Sequence, residues 1–262
     1  MVHDSIFKKT KWFCAVSSLV LLTSGCVDTS TVGKVLIKPE KRITFLLIDN
    51  SLSYNNPADS ASQRVMDLVK REITGKLRQA RPGDHYIVRT IQSESNQLSA
   101  MITNLDLTRD DLHFQKPKPS NPIELKVWER EKRDFEESLG ERTKASIDAA
   151  CSEFEAQGEL LFAYPSNQTD FVGALLTCQR FFEKRNYDQK KLIIYSDMIE
   201  DAALEDDSQL ELPDVTVVAR FVTRPPNQNT GGAHQYFKQL EQYWQTKLNA
   251  EQFELYEVQN SF

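Results

Sequence analysis

The chain has 262 residues, of which 40% are hydrophobic and 27% charged, and it carries a formal charge of −6. This is the composition of an ordinary globular protein of one or two domains, long enough to bury a full core. The acidic balance and the lack of a basic stripe exclude the phosphate footprint of a nucleic-acid binder, and solubility alone accounts for the acidity.

The first 26 residues differ from the rest. Lys8, Lys9 and Lys11 make a positive start, an apolar run follows from Trp12 to Leu22, and Thr23-Ser24-Gly25-Cys26 closes it. This is the three-part pattern of a secretory signal, too short for a spanning helix of about 20 residues. Leu21-Leu22-Thr23-Ser24-Gly25-Cys26 resembles a bacterial lipobox, in which the Cys is lipidated and becomes the new N-terminus. The usual Leu, Val or Ile three places before the Cys is Thr23 here, with Leu22 one place further back. The resemblance implies a signal peptide over residues 1–25, a lipid on Cys26 and a polar tether over 26–41; an ordinary secretory signal or an uncleaved anchor is the alternative. Val27, rather than Asp, follows the Cys, so in a double-membraned host the outer membrane, periplasmic side, is expected. Cleavage would remove three Lys and one Asp, leaving the mature chain two charges more negative.

Ile43-Thr44-Phe45-Leu46-Leu47-Ile48 is a nearly continuous apolar run ending in Asp49, as in a parallel strand buried on both faces. Residues 59–80 have helical spacing, with Val65, Leu68, Val69, Ile73 and Leu77 on one face, and Arg81-Pro82-Gly83-Asp84 ends them. Residues 85–91 read as a second strand and 98–105 as a short edge strand. A Pro-rich loop, 116–122, precedes a highly charged helical stretch over 123–157. Its narrow apolar seam runs through Trp128, Phe135 and Leu139, then Ile147, Cys151 and Phe154. Gly140 is expected to split this stretch into two helices. The whole is either a hairpin packed on the sheet or an insertion, about 117–160, that shapes the ligand face.

Residues 170–184 form a further helix with Phe171, Leu175, Cys178 and Phe182 aligned. Strands follow at 191–197 and 215–221. A helix over 233–248 places Tyr236, Leu240 and Tyr243 on one side, and 253–258 alternates as a last strand. The order β, α, β implies a mostly parallel, helix-covered sheet. Once Cys26 is modified, Cys151 and Cys178 are an even pair in an oxidising compartment. They could form a disulfide or remain two buried thiols, and the bonded pair is the expectation. Without a CxxC or a Cys/His cluster, a zinc site has no support.

Asp49-Asn50-Ser51-Leu52-Ser53 follows the first buried strand directly. In an extended chain, positions two apart point the same way, so Asp49, Ser51 and Ser53 can present three oxygens to one point. One carboxylate and two hydroxyls suit a hard cation such as Mg²⁺, which takes six oxygens and keeps some waters. Ligands of open α/β sheets gather at the carboxyl ends of the strands. Thr169 precedes a helix and Asp197 ends another buried strand; each alone has a plain explanation, a helix N-cap and a turn residue. The acidic stretch Glu200, Asp201, Glu205, Asp206, Asp207, Glu211 and Asp214 reads as a solvated loop, with a second cation site or a rim that repels acidic non-partners as the alternative, and no role is assigned to His85, His113 or His234.

In this order and at these strand ends, the residues resemble those of the von Willebrand factor A / integrin inserted-domain family. Its metal-ion-dependent adhesion site joins a D-x-S-x-S loop, a Thr from a later loop and an Asp after a central strand. Asp49, Ser51 and Ser53 match the first element, Thr169 the second within Thr-Asp-x-x-x-Ala-Leu, and Asp197 the third within Tyr-Ser-Asp. Relatives often have Gly where Met198 stands, and the insert is long. The resemblance, over about 42–258, implies a doubly wound Rossmann-like sheet with Mg²⁺ (or Mn²⁺) at its top. Ser51, Ser53 and Thr169 would be hydroxyl ligands, with Asp49 and Asp197 acting directly or through water. An open coordination position would take an Asp or Glu carboxylate from a partner protein. The expected function is therefore an envelope-anchored, metal-dependent protein-binding module and not an enzyme. The alternatives are a Mg²⁺-dependent hydrolase using the same cluster, against which Ser51 stands where a phosphoaspartate enzyme would carry its second Asp, and a structural envelope subunit with incidental metal binding.

Overall fold

The computed structural model describes residues 40–95, 97–109, 114–199, 210–223 and 233–258. The signal stretch, Cys26, the tether up to residue 39, His113, the acidic residues from Glu200 to Asp207 and Gly231-Gly232 lie outside the described residues.

Six strands and four helices are described: β1 (Arg42–Asp49), α1 (Ser60–Arg78), β2 (Asp84–Ile91), β3 (Met101–Asp106), α2 (Pro122–Phe162), α3 (Phe171–Lys184), β4 (Gln189–Tyr195), β5 (Thr216–Val222), α4 (Ala233–Leu248) and β6 (Gln252–Glu257). The sheet order is β3-β2-β1-β4-β5-β6. Every pairing is parallel except that of the edge strand β3 with β2. This is the doubly wound, mostly parallel architecture that the alternation of strands and helices predicts.

β1 is central because both of its faces are apolar. Ile43, Phe45 and Leu47 join the core under α3 and α4, while Leu46 and Ile48 join the core under α1 and α2. The aligned α3 residues Phe171, Leu175, Cys178 and Phe182 are all buried in the first of these cores. Asp59 caps α1, its carboxylate accepting from the amides of Ala61 and Ser62, which satisfies two of the orphan donors of the first turn.

Three expectations need correction. Residues 122–162 form one helix of 41 residues, not two divided at Gly140. A mid-helix Gly costs only about 1 kcal/mol relative to Ala, too little to break a helix supported on both sides. The fully buried residues of α2 all lie in its carboxyl third, Ala150, Cys151, Phe154, Gly158 and Phe162, with Leu139 and Ile147 packed half-buried against the same core. Nearer its start, Phe114 folds back against Trp128 and Phe135, and the Trp128 indole donates to the Lys116 carbonyl at 2.9 Å.

The buried face of α4 is set by Phe237, Trp244 and Leu248, with Tyr236 and Leu240 half-buried, while Tyr243 is 49% exposed. Two adjacent aromatics satisfy a helical stripe almost equally, and the core takes the larger. Finally, Cys151 and Cys178 are both free and buried. They lie in the two separate cores on opposite faces of the sheet, so the expected disulfide is not formed. A bond would need their Cα atoms within about 7 Å, across a layer of main chain.

Candidate metal centre

The carboxyl ends of β1 and β4 lie side by side because Ile48 pairs with Tyr195. That register sets Ser196 beside Asp49, and the Ser196 hydroxyl donates to Asp49 Oδ2 at 2.7 Å. The other carboxylate oxygen, Oδ1, accepts from the Ser51 amide at 2.8 Å. Ser51 and Ser53 Oγ lie 2.9 Å apart, brought together by a turn over residues 52–54, in which the Tyr54 and Asn55 amides donate to the Ser51 carbonyl, and not by extended chain. Asp49 and Ser51 are buried and Ser53 is exposed, so the hydroxyl pair runs from the interior to the surface. Asp197, 4% exposed, is close enough to raise the Asp49 pKa, and its Oδ1 accepts from the Ile199 amide at 3.1 Å.

Thr169 reaches this edge through its loop. Ser166 pairs with Ser51 in a parallel bridge: its amide donates to the Asn50 carbonyl at 2.7 Å and its carbonyl accepts from the Leu52 amide at 2.9 Å. On the far side, the Asp170 amide donates to the Gln92 carbonyl at 3.1 Å. Thr169, between these two fixed points, is 1% exposed. The N-cap explanation for Thr169 does not hold, because Asp170 is the cap: its carboxylate accepts from the Gly173 amide at 2.8 Å. A Cβ on Gly173 would fall 2.1 Å from Asp170 Oδ2, so only glycine admits this cap.

The electrostatics are unusual for two aspartates. Asp49 is raised from its ordinary 3.8 to about 7, first by burial and then by the Asp197 charge; hydrogen bonds from Ser196 and Ser51 oppose the shift without cancelling it. The groups acting most strongly on it, Asp197, Ser196 and Ser51, bring no positive charge. Among the described residues no three His, Cys, Asp or Glu side chains converge, so the donor set is hydroxyl-rich, with two carboxylates. That chemistry fits a hard, oxygen-seeking divalent cation, which would supply the missing positive charge and leave positions to water or a ligand. Zinc has no comparable set of donors.

Met198 occupies the left-handed region at φ 63, where a Gly would be unstrained. Here the strain is held by packing: Met198 is 1% exposed, its amide donates to Ser196 Oγ at 2.9 Å and its carbonyl accepts from the Trp244 indole at 3.1 Å.

Several residues around the centre escaped the sequence reading. Ser196 was visible as the hydroxyl preceding Asp197. Ser166 had no signal of its own. Asn50 and Asn55, both buried, bond to the end of α2, a contact with no local sequence signal.

The strand order and the single antiparallel edge define a doubly wound, Rossmann-like α/β fold. Among solved structures, the chain is similar to an aerotolerance-related membrane protein from Bacteroides fragilis NCTC 9343 carrying multiple mutations to serine: 12% identity over 84% of this chain and 92% of that one, TM-score 0.40. It is also similar to the VWA domain of SpRpn10, at 12% identity over 83% of this chain and 88% of that one, TM-score 0.37. No family model and no curated protein matches the sequence.

Proposed function

We propose that this protein is a divalent-metal-dependent protein-binding module held at the bacterial cell envelope by a lipid on Cys26. The observation that carries the metal reading is the gathering of Asp49, Ser51, Ser53, Asp197 and the Thr169 loop at one edge of the sheet, with Asp49 raised to about 7 by burial and by Asp197. Two buried carboxylates that disfavour each other's ionisation are relieved by a cation. Ser51, Ser53 and Thr169 would hold Mg²⁺ or Mn²⁺ through hydroxyls, and Asp49 and Asp197 directly or through water. With few direct carboxylates the cation stays electrophilic, and an Asp or Glu of a partner protein completes it. The protein binds rather than turns over substrate: Ser51 stands where a phosphoaspartate enzyme needs an acid. Anchoring rests on the basic start, apolar run and Cys26 of the sequence, and capture would then take place at a membrane surface.

Calorimetric titration of the mature chain with Mn²⁺ tests the site. Wild type should bind weakly, since water fills the open positions. Thr169→Ala, Asp49→Ala and Asp197→Ala should each bind more weakly or not at all, and should lose Mg²⁺-dependent, chelator-sensitive capture of envelope proteins. Equal Mn²⁺ affinity in all four proteins would refute the metal site. Partner capture that survives metal loss would leave a structural subunit.

A further inference from the structure

The candidate metal loop does more than present ligands; it also holds the end of the inserted helix. The last carbonyls of a helix lack intrahelical donors, and α2 has no basic residue in its last turn to supply them. The Ala163 and Tyr164 amides reach the Leu161 carbonyl, and two asparagines of the β1–α1 loop supply further donors. Asn50 Nδ2 donates to the Leu161 carbonyl at 2.9 Å and, more weakly, to that of Tyr164 at 3.4 Å. Asn55 Nδ2 donates to the Phe162 carbonyl at 2.9 Å and to Asn50 Oδ1 at 2.8 Å. Gln63 of α1 donates to Asn55 Oδ1 at 3.3 Å and extends the chain. Carbonyls can only accept, so both amide orientations are fixed by this network. Asn50 and Asn55 are 2% and 1% exposed, where a lost partner is costly.

Apolar packing shares the hold on the same helix end, with Phe154 and Phe162 buried in the core beside α1. A cavity of about 400 Å³ lies between α1 and α2, with Phe154 and Phe162 as its apolar lining and the side-chain-free Gly75 and Gly158 in its walls. Before Ala150, no residue of α2 is fully buried. The long arm therefore meets the candidate centre through its last turn, the asparagine clasp and the Ser166 bridge, five residues beyond which the chain has passed Thr169 and entered α3.

We infer that Asn50 and Asn55 are positioning residues that couple cation occupancy at the Asp49–Ser53 loop to the last turn of α2, making the inserted helix a transmission arm to the adhesion site. This rests on the metal-site reading above. Coupling between two sites is reciprocal, with typical strengths of about 5- to 150-fold. Ordering the loop around a cation should tighten the helix end, and loosening the helix end should weaken the cation. Anything that grips the projecting part of α2 would then bias partner capture through the same two side chains.

The test uses the mature chain with Mn²⁺ as the probe. Calorimetry on wild type, Asn50→Ala, Asn55→Ala and Gln63→Ala is paired with hydrogen exchange of the amides of residues 158–162, with and without Mn²⁺. Wild type should show slower exchange in this last turn when Mn²⁺ is bound. Asn50→Ala and Asn55→Ala should lose that response and bind Mn²⁺ about tenfold more weakly, although none of the altered side chains is a proposed ligand. Gln63→Ala, which trims only the outer end of the clasp, should show a smaller loss in the same direction and serves if the asparagine variants do not fold. Folded variants with wild-type Mn²⁺ affinity, or exchange in residues 158–162 indifferent to Mn²⁺ in wild type, would overturn the coupling while the metal site stands. Wild type that binds no Mn²⁺ would remove the site and the coupling together.

Discussion

Asp49→Asn isolates the electrostatics of the candidate centre without metal or partner. Asp49 is fully buried, and its pKa stands at about 7 instead of 3.8. A tenfold displacement of a proton equilibrium is worth about 1.4 kcal/mol, so an ionised Asp49 costs the folded state roughly 4 kcal/mol as an upper bound. Asparagine has the same shape and can keep both contacts. Its Oδ1 accepts from the Ser51 amide, and its Nδ2 donates to Ser196 Oγ in place of the hydrogen bond that Ser196 now donates. In the unfolded chain Asp49 loses its proton near 3.8, and in the folded chain near 7. Between these values the unfolded state holds fewer protons, so stability falls as pH rises and then levels off. Asp49→Asn should therefore match wild type below about pH 4, gain steadily through neutrality, and exceed it at pH 8 by up to about 4 kcal/mol. At about 2–4 °C per kcal/mol for a chain of this size, a Tm rise of roughly 10 °C is expected. Thermal melts in chelator from pH 4 to 8 read this directly. Adding Mn²⁺ should reverse the order, stabilising wild type alone. A difference independent of pH, or a less stable Asp49→Asn at pH 8, would refute the reasoning.

Three further outcomes are expected. Met198→Gly relieves about 1 kcal/mol of left-handed strain but empties a buried site whose loss costs about 2–5 kcal/mol, so urea unfolding should show net destabilisation; a gain would mean the side chain packs poorly. His85 is buried, with Nδ1 2.6 Å from the Tyr187 hydroxyl and Nε2 2.7 Å from Asn104 Oδ1, and burial chiefly lowers its pKa. Its contribution is fully present above about pH 6.5 and is lost as pH falls toward the lowered folded value, so His85→Gln in the Asp49→Asn background should flatten the acid side of the stability curve between pH 7.5 and 5, and an unchanged slope would count against a buried neutral imidazole. Gly140→Ala should raise helicity at 222 nm and stabilise by up to about 1 kcal/mol, because the added Cβ meets nothing within 4 Å; a loss of helicity would restore the two-helix reading.

What was legible in the sequence and what was not divides along a physical line. β1, β4 and β5 could be read because strands buried on both faces must be apolar at successive positions, and Phe45–Ile48, Leu192–Tyr195 and Val217–Ala219 are. The α3 face could be read because its spacing leaves only one stripe. The α4 face slipped by one residue, since Tyr243 and Trp244 are neighbours and only packing against Phe171, at 4.7 Å between ring centroids, selects Trp244. Gly140 misled because local propensity is weak against the support of a helix from both sides. Asp49, Ser51, Ser53, Thr169 and Asp197 could be proposed because their oxygen-bearing side chains, their order in the chain and their places at strand ends or before a helix together carry the family resemblance.

Asn50, Asn55 and Ser196 could not be read in that way, because each acts on a group that the chain brings near only by folding. Asn50 and Asn55 satisfy carbonyls 111 and 107 residues away, and Ser196 bonds a carboxylate 147 residues away. Their value depends on where α2 stops and on the Ile48–Tyr195 register, neither of which has a local signature. The same dependence explains why the sequence leaves open whether the long insertion only packs on the sheet or shapes the ligand face. Without the clasp, α2 is a charged helix with a narrow apolar seam. With it, the carboxyl end of α2 is built into the loop that would bind the cation, and the arm and the site answer to the same few hydrogen bonds.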